Sequence, residues 1–542
     1  MRRLARLLIV LAALPLASSA GASEPCVPGA TLLLEDLNTP WDDLLRSADT
    51  AGAVPPSPGV IRRAGAREAT LCGDGTDLPW TPPAAARVEP GADYLRALPL
   101  RLTGAFNSHY PSGENDELLW AGRGASAMLS GGVAARWSIF SAAIDPQLAW
   151  SENATFRIVP NGRTGDARFL NPYYGTNIDY PQRFGAAPYY AWAPGQSYLR
   201  ADVFNVGLGV STENMWFGPG VRNAITMSSA GPGFPHAFVG TSRPADIWIG
   251  KAEVLAYWGR LERSRYMPDG THPLITGVVI DYTPRWLPDL TIGLSRNFTQ
   301  VWDHLRFRDY FNALQPFMKR DLGSWYGTNA TGEVGNNPRD NQLASLFFRW
   351  RFPESAVELH GEWAREDSEA SIYQVIREPD HSQGWLIGME KLWRAGPRWV
   401  RFQAELVNLS EVRPLGARRG TPVYYIHPND LSWTNEGQLL GAWVGPAGSA
   451  QTLAVDVFGL GGRFGGYIER VRRTDDYYWR VVEPAAGTHD AELAAGLRQV
   501  IFAGPVDISW DAALMYRWSR DYLQNEGNVR LGVQVSVPLG GR

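Results

Sequence analysis

The sequence predicts an all-β fold: a transmembrane antiparallel β-barrel of roughly 16–18 strands that follows a small, partly helical N-terminal segment. Three observations predict it. Segments in which apolar and polar residues alternate with period two are longer than the ordinary strand of ~5–6 residues. The 542 residues include 22 Trp, 21 Tyr, 20 Phe and 57 Gly, and many Trp residues stand at predicted strand ends. The connections between segments alternate between short and long.

Residues 1–22 have the three parts of a secretory signal peptide. Three arginines within residues 2–6 form the positive start, residues 7–17 form a short apolar stretch, and Ala20-Gly21-Ala22 matches a cleavage site. The apolar stretch is too short to span a bilayer as an anchor. We therefore expect an exported protein.

Residues 23–95 are predicted to form a small periplasmic segment that is partly helical. Thr39 can cap a helix for which Pro40 suits the first position. The segment also holds the two cysteines of the chain, Cys26 and Cys72. In an oxidising compartment one disulfide between them is expected, and two free thiols are the alternative.

Residues 96–542 are predicted to form the barrel. Its clearest strands are 506–518 and 529–537, in which large apolar residues alternate with Asp, Ser, Arg, Gln and Gly. Further candidate strands lie at 98–108, 117–132, 134–150, 198–212, 246–260, 274–284, 287–299, 341–352, 355–364, 383–394, 397–409, 437–446, 449–457, 462–474 and 491–503, with shorter candidates at 221–228 and 236–241.

Long alternating strands occur both in large soluble sandwiches and in outer-membrane barrels. The tight connections at 353–354 and 503–505 contrast with the long connections at 152–197, 300–340 and 475–490. A membrane barrel has short turns at one end and long loops at the other, whereas a sandwich gives no reason for this alternation. The sequence therefore predicts a barrel in the outer membrane.

Composition argues against several functions. The 51 basic and 55 acidic residues give a net charge of −4, so no nucleic-acid partner is expected. The eight His occur in no metal-ligand spacing, so neither a metal nor a cofactor is expected. Glu362, Glu366 and Asp367 can be imagined as a glycosidase pair, but no G-x-S-x-G or other catalytic motif accompanies them. An enzyme is not expected.

Charged residues are predicted to face the lumen. Arg349 and Arg351 share one face of a predicted hairpin, and Glu358, His360 and Glu362 share the facing one. One interpretation is a charged lumen that sorts solutes or binds a glycan. The other, which we favour, is ion pairing that fills and stiffens the lumen.

Two loops, 171–192 and 475–480, combine Tyr and Trp with Asp, Asn and Arg. Ring faces stack on sugars and planar polar groups bind paired hydroxyls, so this composition indicates glycan recognition. The alternative is packing of the loops on themselves together with the aromatic girdles of the barrel. The candidate carbohydrate contacts are Tyr173, Tyr174, Arg183, Trp192, Asp475, Tyr477, Tyr478 and Trp479.

Several blocks resemble the Wzi capsule-assembly outer-membrane family. Residues 216–220, Trp-Phe-Gly-Pro-Gly, resemble its W-W-G-P-G, and residues 341–344, 366–367, 425–427 and 437–441 resemble further blocks in the same order. The likeness covers most of residues 98–542. The chain departs from the family at the second position of the W-W pair, in its last residues and in an N-terminal region with less helix. The family-motif residues singled out are Trp216, Gly218, Pro219, Gly220, Tyr425 and His427.

The resemblance implies an outer-membrane lectin that holds capsular or extracellular polysaccharide at the cell surface, without catalysis. It implies as partners this polysaccharide and the lipid or lipopolysaccharide of the outer membrane, and a monomer is expected. Two alternatives remain open: a passive porin with an open lumen, and a barrel hydrolase that uses Glu362, Glu366 or Asp367.

Overall fold

The computed structural model describes residues 28–34, 37, 39–65, 67–73, 78–80, 87–89, 91–267, 272–302, 307–317, 340–366, 372–410, 424–427, 431–485, 487–503 and 505–539. Its first elements are β1 (Pro28–Leu34), α1 (Pro40–Thr50), β2 (Ile61–Arg63), β3 (Arg67–Cys72) and β4 (Arg87–Val88). They are followed by β5 (Tyr94–Ala97), β6 (Leu100–Asn107), β7 (Gly124–Ser130), β8 (Val133–Trp137), β9 (Phe140–Ile144), β10 (Gln147–Ser151), β11 (Tyr189–Ala193), β12 (Tyr198–Val203), β13 (Val206–Ser211), β14 (Met215–Phe217), β15 (His236–Thr241) and β16 (Ala245–Ile247).

The second half of the chain contains β17 (Gly250–Arg260), β18 (Pro273–Pro284), β19 (Leu290–Val301), β20 (Asp340–Phe352), β21 (Val357–Glu366), α2 (Ile372–Arg377), β22 (Gln383–Ala395), β23 (Arg398–Asn408), β24 (Thr434–Asn435), β25 (Gln438–Leu439), β26 (Ser449–Gly459), β27 (Gly462–Arg472), α3 (Asp475–Tyr477), β28 (Ala491–Ala503), β29 (Val506–Arg520) and β30 (Gln524–Val537). Short 3₁₀ turns lie at Gly165–Phe169, Phe307–Leu314, Pro353–Ser355 and Glu483–Ala485, and a π-helical turn spans Tyr478–Val482.

One antiparallel sheet dominates the structure. Among the described residues it holds 23 strand segments. Five strands are bent into two segments each, namely β5/β6, β7/β8, β9/β10, β11/β12 and β15/β16, so the segments make 18 strands. The last strand, β30, pairs with the first along β6, with Val533 opposite Gly104. This pairing closes the ring into a barrel with an even number of strands, and the predicted fold class and strand number are confirmed.

The wall alternates as a membrane barrel requires. In β26 the odd-numbered residues 453–457 (Leu, Val, Val) are 37–49% exposed on the outside, and the even-numbered residues 452–456 (Thr, Ala, Asp) are at most 4% exposed. Successive strand residues point to opposite faces, so one face meets hydrocarbon and the other the lumen. No helix among the described residues is long and apolar enough to cross a membrane.

The two ends of the barrel differ. The short-turn end carries the tight connections between strands, such as 204–205, 396–397 and 460–461. The long-loop end carries the connections 152–188, 212–235, 409–448 and 473–490. A small sheet in the order β3-β1-β4 packs with α1 against Leu392, Trp399 and Phe458 of the wall. Trp399 stands near the end of β23, where the sequence predicts a girdle residue, but its side chain is buried under this sheet.

The lumen holds what we call the plug, the described residues of 39–65, 212–235 and 424–448, beside a cavity of about 390 Å³ that is lined by both plug and wall. Within it β2 pairs with β14, which sets Arg62 opposite Trp216. Apolar plug residues such as Ile225 and Trp433 form one buried cluster with inward residues of the wall. The predicted strands at 221–228 and 437–446 are wrong, because these apolar runs are buried inside the plug as turns with only a two-residue strand, β25.

Cys72 ends β3 and is disulfide-bonded. Cys26, the other cysteine of the sequence, lies outside the described residues, so the predicted pair stays a prediction.

Candidate functional site

The charged inward residues of the wall bind the plug. The side chains of α1 lie inside the barrel, where Asp49 Oδ2 is 2.6 Å from Arg349 Nη1 and Asp43 Oδ1 is 2.5 Å from Arg401 Nη1. Arg46, between these carboxylates, is 2.6 Å from Glu358. The charged inward residues are therefore ion-paired, as the favoured interpretation of the sequence predicts. Their partners lie on the plug as well as on neighbouring strands.

The Trp-Phe-Gly-Pro-Gly block is a turn at the centre of the plug. Gly218 has a φ of +102°, in the region that favours glycine. The backbone N–H groups of Val221 and Asn223 donate to Glu405 at 2.6 and 2.9 Å, and that of Arg222 donates to the same carboxylate. Trp216 Nε1 donates to the Gly220 carbonyl at 3.2 Å. These contacts satisfy a buried carboxylate and buried N–H groups together, so the block holds the plug.

The family block at residues 425–427 also forms hydrogen bonds that hold the plug together. The hydroxyl of Tyr425 donates to the Ile225 carbonyl at 2.7 Å and accepts from the N–H of Ala442 at 2.8 Å. The backbone N–H of His427 donates to the carbonyl of Asn177 at 3.0 Å. Tyr425 is fully buried, so it links the two inner segments of the plug and is closed to solvent.

The carboxylates considered for hydrolysis are occupied by backbone donors. Glu362 accepts the N–H of Ile225 at 3.1 Å, and Glu366 accepts the N–H of Tyr425 at 2.9 Å. Both side chains are buried. Asp367 lies outside the described residues. Glu362 and Glu366 therefore position the plug.

Two of the eight candidate glycan contacts lie away from the others. Arg183 is only 5% exposed, and its Nη2 donates to the carbonyl of Asn153 at 2.6 Å, so it ties two parts of a loop together. Trp192 is 62% exposed and pairs with Leu148 across the wall. Its side chain points outward with that of Tyr190, at the aromatic girdle of the barrel.

The other candidates come together at the long-loop end, although the loops are some three hundred residues apart in the chain. The ring of Tyr173 lies 4.7 Å from that of Tyr477, and the Tyr174 hydroxyl donates to Asp476 Oδ1 at 2.5 Å. Tyr478 packs 4.9 Å from Trp479. The nomination from composition therefore selected neighbours in space.

Two members of this site were missed. Tyr522, in the connection between β29 and β30, lies 5.5 Å from Tyr477, and His489 stacks on Tyr478 at 3.4 Å. The signal for Tyr522 was available, since it follows Arg520-Asp521 in the same aromatic-polar pattern. We call the set the aromatic cluster: Tyr173, Tyr174, Tyr477, Tyr478, Trp479, His489 and Tyr522.

Buried acids hold the cluster from below. Asp475 accepts from Trp479 Nε1 at 3.1 Å and from Arg472 Nη2 at 2.9 Å. Burial raises the pKa of Asp475, and the nearby Arg472 opposes this shift. Burial also lowers the pKa of His489 from 6.5, while Asp475 works the other way. These paired groups orient the rings and leave the ring faces as the chemically distinctive surface.

The cluster is suited to binding. Burial raises the pKa of Tyr173 above its ordinary 10, with Asp521 and Asp490 acting in the same direction, so the phenol stays protonated at neutral pH. Within the described ranges, no three His, Cys, Asp or Glu side chains are arranged to hold a metal ion. Half-buried rings beside planar polar groups can stack on sugar faces and bind hydroxyls.

A closed antiparallel barrel with an apolar outer wall, a plugged lumen and an aromatic cluster among its long loops defines the class: an outer-membrane β-barrel protein. A family model described as capsule assembly protein Wzi matches residues 114–520. The chain belongs to this family, and the resemblance of its sequence blocks is confirmed.

Solved structures with a similar fold include three outer-membrane barrels. One is Wzi of Escherichia coli, described as a carbohydrate-binding β-barrel involved in group 1 capsule assembly; it shares 14% identity over 82% of this chain and 85% of that chain, with a TM-score of 0.55. OccK2 of Pseudomonas aeruginosa in complex with glucuronate shares 11% identity over 82% and 98%, with a TM-score of 0.41. OccAB3 of Acinetobacter baumannii shares 8% over 82% and 98%, with a TM-score of 0.41. No curated protein sequence matches the chain.

Proposed function

We propose that this protein is an outer-membrane lectin that attaches or organises capsular or extracellular polysaccharide at the bacterial cell surface, through the aromatic cluster. The observation that carries the proposal is the meeting of Tyr173 and Tyr477, from two distant loops, at the long-loop end. Membership of the capsule-assembly family supports it. So does the carbohydrate binding described for the similar E. coli structure.

The proposed topology follows from the barrel. Residues 1–22 act as the signal peptide, and residues 23–95 enter from the periplasmic side with the short turns, so that 39–65 lie inside the lumen as part of the plug. The long loops face the outside, as in other outer-membrane barrels. In this orientation the cluster meets surface polysaccharide directly, and the monomer is the functional unit. The plug, which is anchored to the inward wall by buried ion pairs, favours this function over that of a passive porin.

The proposed contacts are the rings of the cluster, and the buried Asp475 belongs to the site as the acid that accepts from Trp479 and orients its ring. Six of the residues nominated from the sequence are retained: Tyr173, Tyr174, Asp475, Tyr477, Tyr478 and Trp479. His489 and Tyr522 join them because their rings complete the same surface. Arg183 and Trp192 are left out, since Arg183 binds the carbonyl of Asn153 within a loop away from the cluster and Trp192 faces the membrane.

The direct test is binding of the purified protein to polysaccharide from its own source organism. Tyr477→Ala is expected to weaken binding about fivefold to tenfold, because one aromatic contact is worth about 1 kcal/mol. Tyr190→Ala is the matched control, because Tyr190 is 72% exposed on the outer wall and away from the cluster. Equal binding by both variants and the unaltered protein would contradict the proposed site.

The cellular test is deletion of the gene. A deletion strain is expected to make polysaccharide in normal amount and to release more of it into the medium, because attachment is lost and synthesis is not. The measurement is cell-bound against released polysaccharide. Unchanged cell-bound polysaccharide would overturn the function itself.

A further inference from the structure

The outer wall carries a depression over strands β26–β30. Its volume is about 760 Å³, and its outward lining is almost entirely aliphatic. The outward lining residues are Phe402 of the neighbouring strand β23 and Leu453, Val455, Gly466, Ile468, Ala495, Leu497, Ala512, Leu514, Val529 and Leu531. The depression is therefore an apolar groove with room for part of another molecule.

The groove exists because small residues stand beside large ones in register. Gly466 pairs with Leu497, and Leu497 pairs in turn with Ala512 on the next strand. Ala495 pairs with Leu514. The small residues form the floor of the groove, and the leucines form its sides. A flexible hydrocarbon chain fills such a narrow apolar channel well.

The end of the groove nearest the long loops is cationic. Arg470 follows Ile468 by two residues on the same outward face of β27, whereas Arg472, two residues further on, is paired with Asp475 at 2.9 Å. Arg470 Nη1 donates to Gln451 at 2.6 Å, and in the part of the chain that the structure describes no carboxylate lies within ion-pair distance of it. Tyr516 and Trp518 stand on the same rows, at the level of an aromatic girdle.

We propose that this groove binds a phosphorylated glycolipid of the outer leaflet, with an acyl chain along the apolar floor and a phosphate at Arg470. The inference rests on the orientation given under the proposed function, which sets the long-loop end in the outer leaflet. An arginine at the interface beside a hydrocarbon channel matches a lipid that carries both an anion and acyl chains.

A second copy of the chain fits this surface less well. A two-fold dimer contact would set the same concave patch against itself. Two facing depressions leave a void, and a void forfeits the contacts that stabilise an interface. The groove is therefore better matched to a flexible chain than to its own copy.

The experiment is native mass spectrometry of the purified full chain after exchange into bilayers. The bilayers contain diphosphoryl lipid A and phosphatidylglycerol in equal amounts. We expect retained lipid A on the unaltered protein, in excess over phosphatidylglycerol. Equal retention of the two lipids would overturn the glycolipid assignment, and a retained dimer without lipid would assign the surface to a second copy.

Two variants separate the parts of the site. The double variant Ala495→Leu with Ala512→Leu fills the floor and is expected to lower lipid A retention about fivefold or more. Ala256→Leu, an outward alanine of β17 on the far wall, is the matched control and is expected to change nothing. Arg470→Gln is expected to lower lipid A retention about tenfold and to remove the preference over phosphatidylglycerol, because a charge-assisted bond is lost.

The result is independent of glycan binding. Tyr477→Ala is expected to retain lipid A as the unaltered protein does, and Arg470→Gln to bind polysaccharide normally. Loss of both activities in either variant would mean general unfolding, which the heat-modifiable gel mobility of the barrel detects. Lipid A retention that survives both the filled floor and Arg470→Gln would overturn the proposal.

Discussion

The plug and the aromatic cluster have similarly polar and aromatic sequences. They differ in how far their side chains are buried and hydrogen-bonded within the protein. In the plug, Trp216 and Tyr425 are fully buried. Their side chains donate to backbone carbonyls of other plug residues, Gly220 and Ile225. In the cluster, Tyr173 and Tyr477 are half-buried and meet mainly through their ring edges and faces. Residues typical of the family can thus serve the scaffold, while residues noted only for their composition form the surface.

The same contrast separates the carboxylates. Glu405 and Glu362 accept backbone N–H groups inside the barrel, so their negative charge is used to hold a turn. Asp475 and Asp476 accept from Trp479 and Tyr174 at the long-loop end, so their charge orients rings. Changes in the first pair are expected to alter stability, and changes around the second to alter binding.

The largest effect is expected from Glu405→Ala. It leaves the N–H groups of residues 221–223 without their buried acceptor and removes a partner 3.8 Å from His360. Breaking a buried charged network costs roughly 3–5 kcal/mol. The measurement is the free energy of unfolding in denaturant. Glu405→Gln, which keeps an acceptor, is the control, and equal stability of the two variants would contradict the role given to this carboxylate.

A smaller loss is expected from Gly220→Ala. An added Cβ would lie 1.9 Å from the backbone oxygen of Asn223 and 2.9 Å from Leu386, so the turn must shift. Such overpacking costs roughly 1–3 kcal/mol. Gly461→Ala is the matched control, because nothing lies within 4 Å of its added Cβ. The measurement is the thermal unfolding temperature of both variants. If Gly461→Ala is destabilised as much as Gly220→Ala, the loss comes from replacing a glycine in general and not from the clash with Asn223.

The barrel was predictable because the sequence patterns that indicate it involve residues close together in the chain. Period-two alternation, tight connections such as 353–354 and strand-end Trp residues each report the wall directly, and the 18 strands fall within the predicted range. The helix was predictable for the same reason, since the Thr39 hydroxyl does accept from the N–H of Asp42 at 3.2 Å. These signals depend on neighbours in the chain.

The plug was not predictable, because its residues are buried by distant partners. Residues 221–228 are apolar and read as a strand, but their neighbours are Trp433 and the inward wall, which sequence spacing cannot reveal. Arg183 and Trp192 lie away from the other candidates for a related reason. Composition identifies a residue type that suits sugars, but the fold decides which side of the wall or loop the side chain faces. The remaining six nominated residues do lie together in space because several suitable residues share each loop, and their role as glycan contacts stays a prediction.

A moderate effect is expected from Tyr174→Phe. The change removes the hydroxyl that donates to Asp476 Oδ1 at 2.5 Å and keeps the ring, while Asp476 retains Arg480. A hydrogen bond to a charged group contributes about 1.5–3 kcal/mol, and the remaining partner reduces the net loss to about 1 kcal/mol. Because this bond joins the two loops, polysaccharide binding is expected to weaken severalfold. The control variant Trp192→Ala is expected to bind polysaccharide as the unaltered protein does. Weaker polysaccharide binding by this variant would mean that Trp192 belongs to the site.

The smallest effect is expected from acidification near His489. Burial lowers the pKa of His489 in the folded protein below the 6.5 of an exposed ring, so the unfolded chain takes up the proton first as the pH falls. Stability is therefore present above pH 6.5 and is lost as the pH falls through 6.5 towards the folded pKa. The loss stays below about 1 kcal/mol, because the side chain is partly exposed and solvent screens its charge. His489→Phe keeps a ring on Tyr478 and is expected to flatten the dependence of unfolding free energy on pH near 6.5. An unchanged slope in that variant would assign the titration to another group.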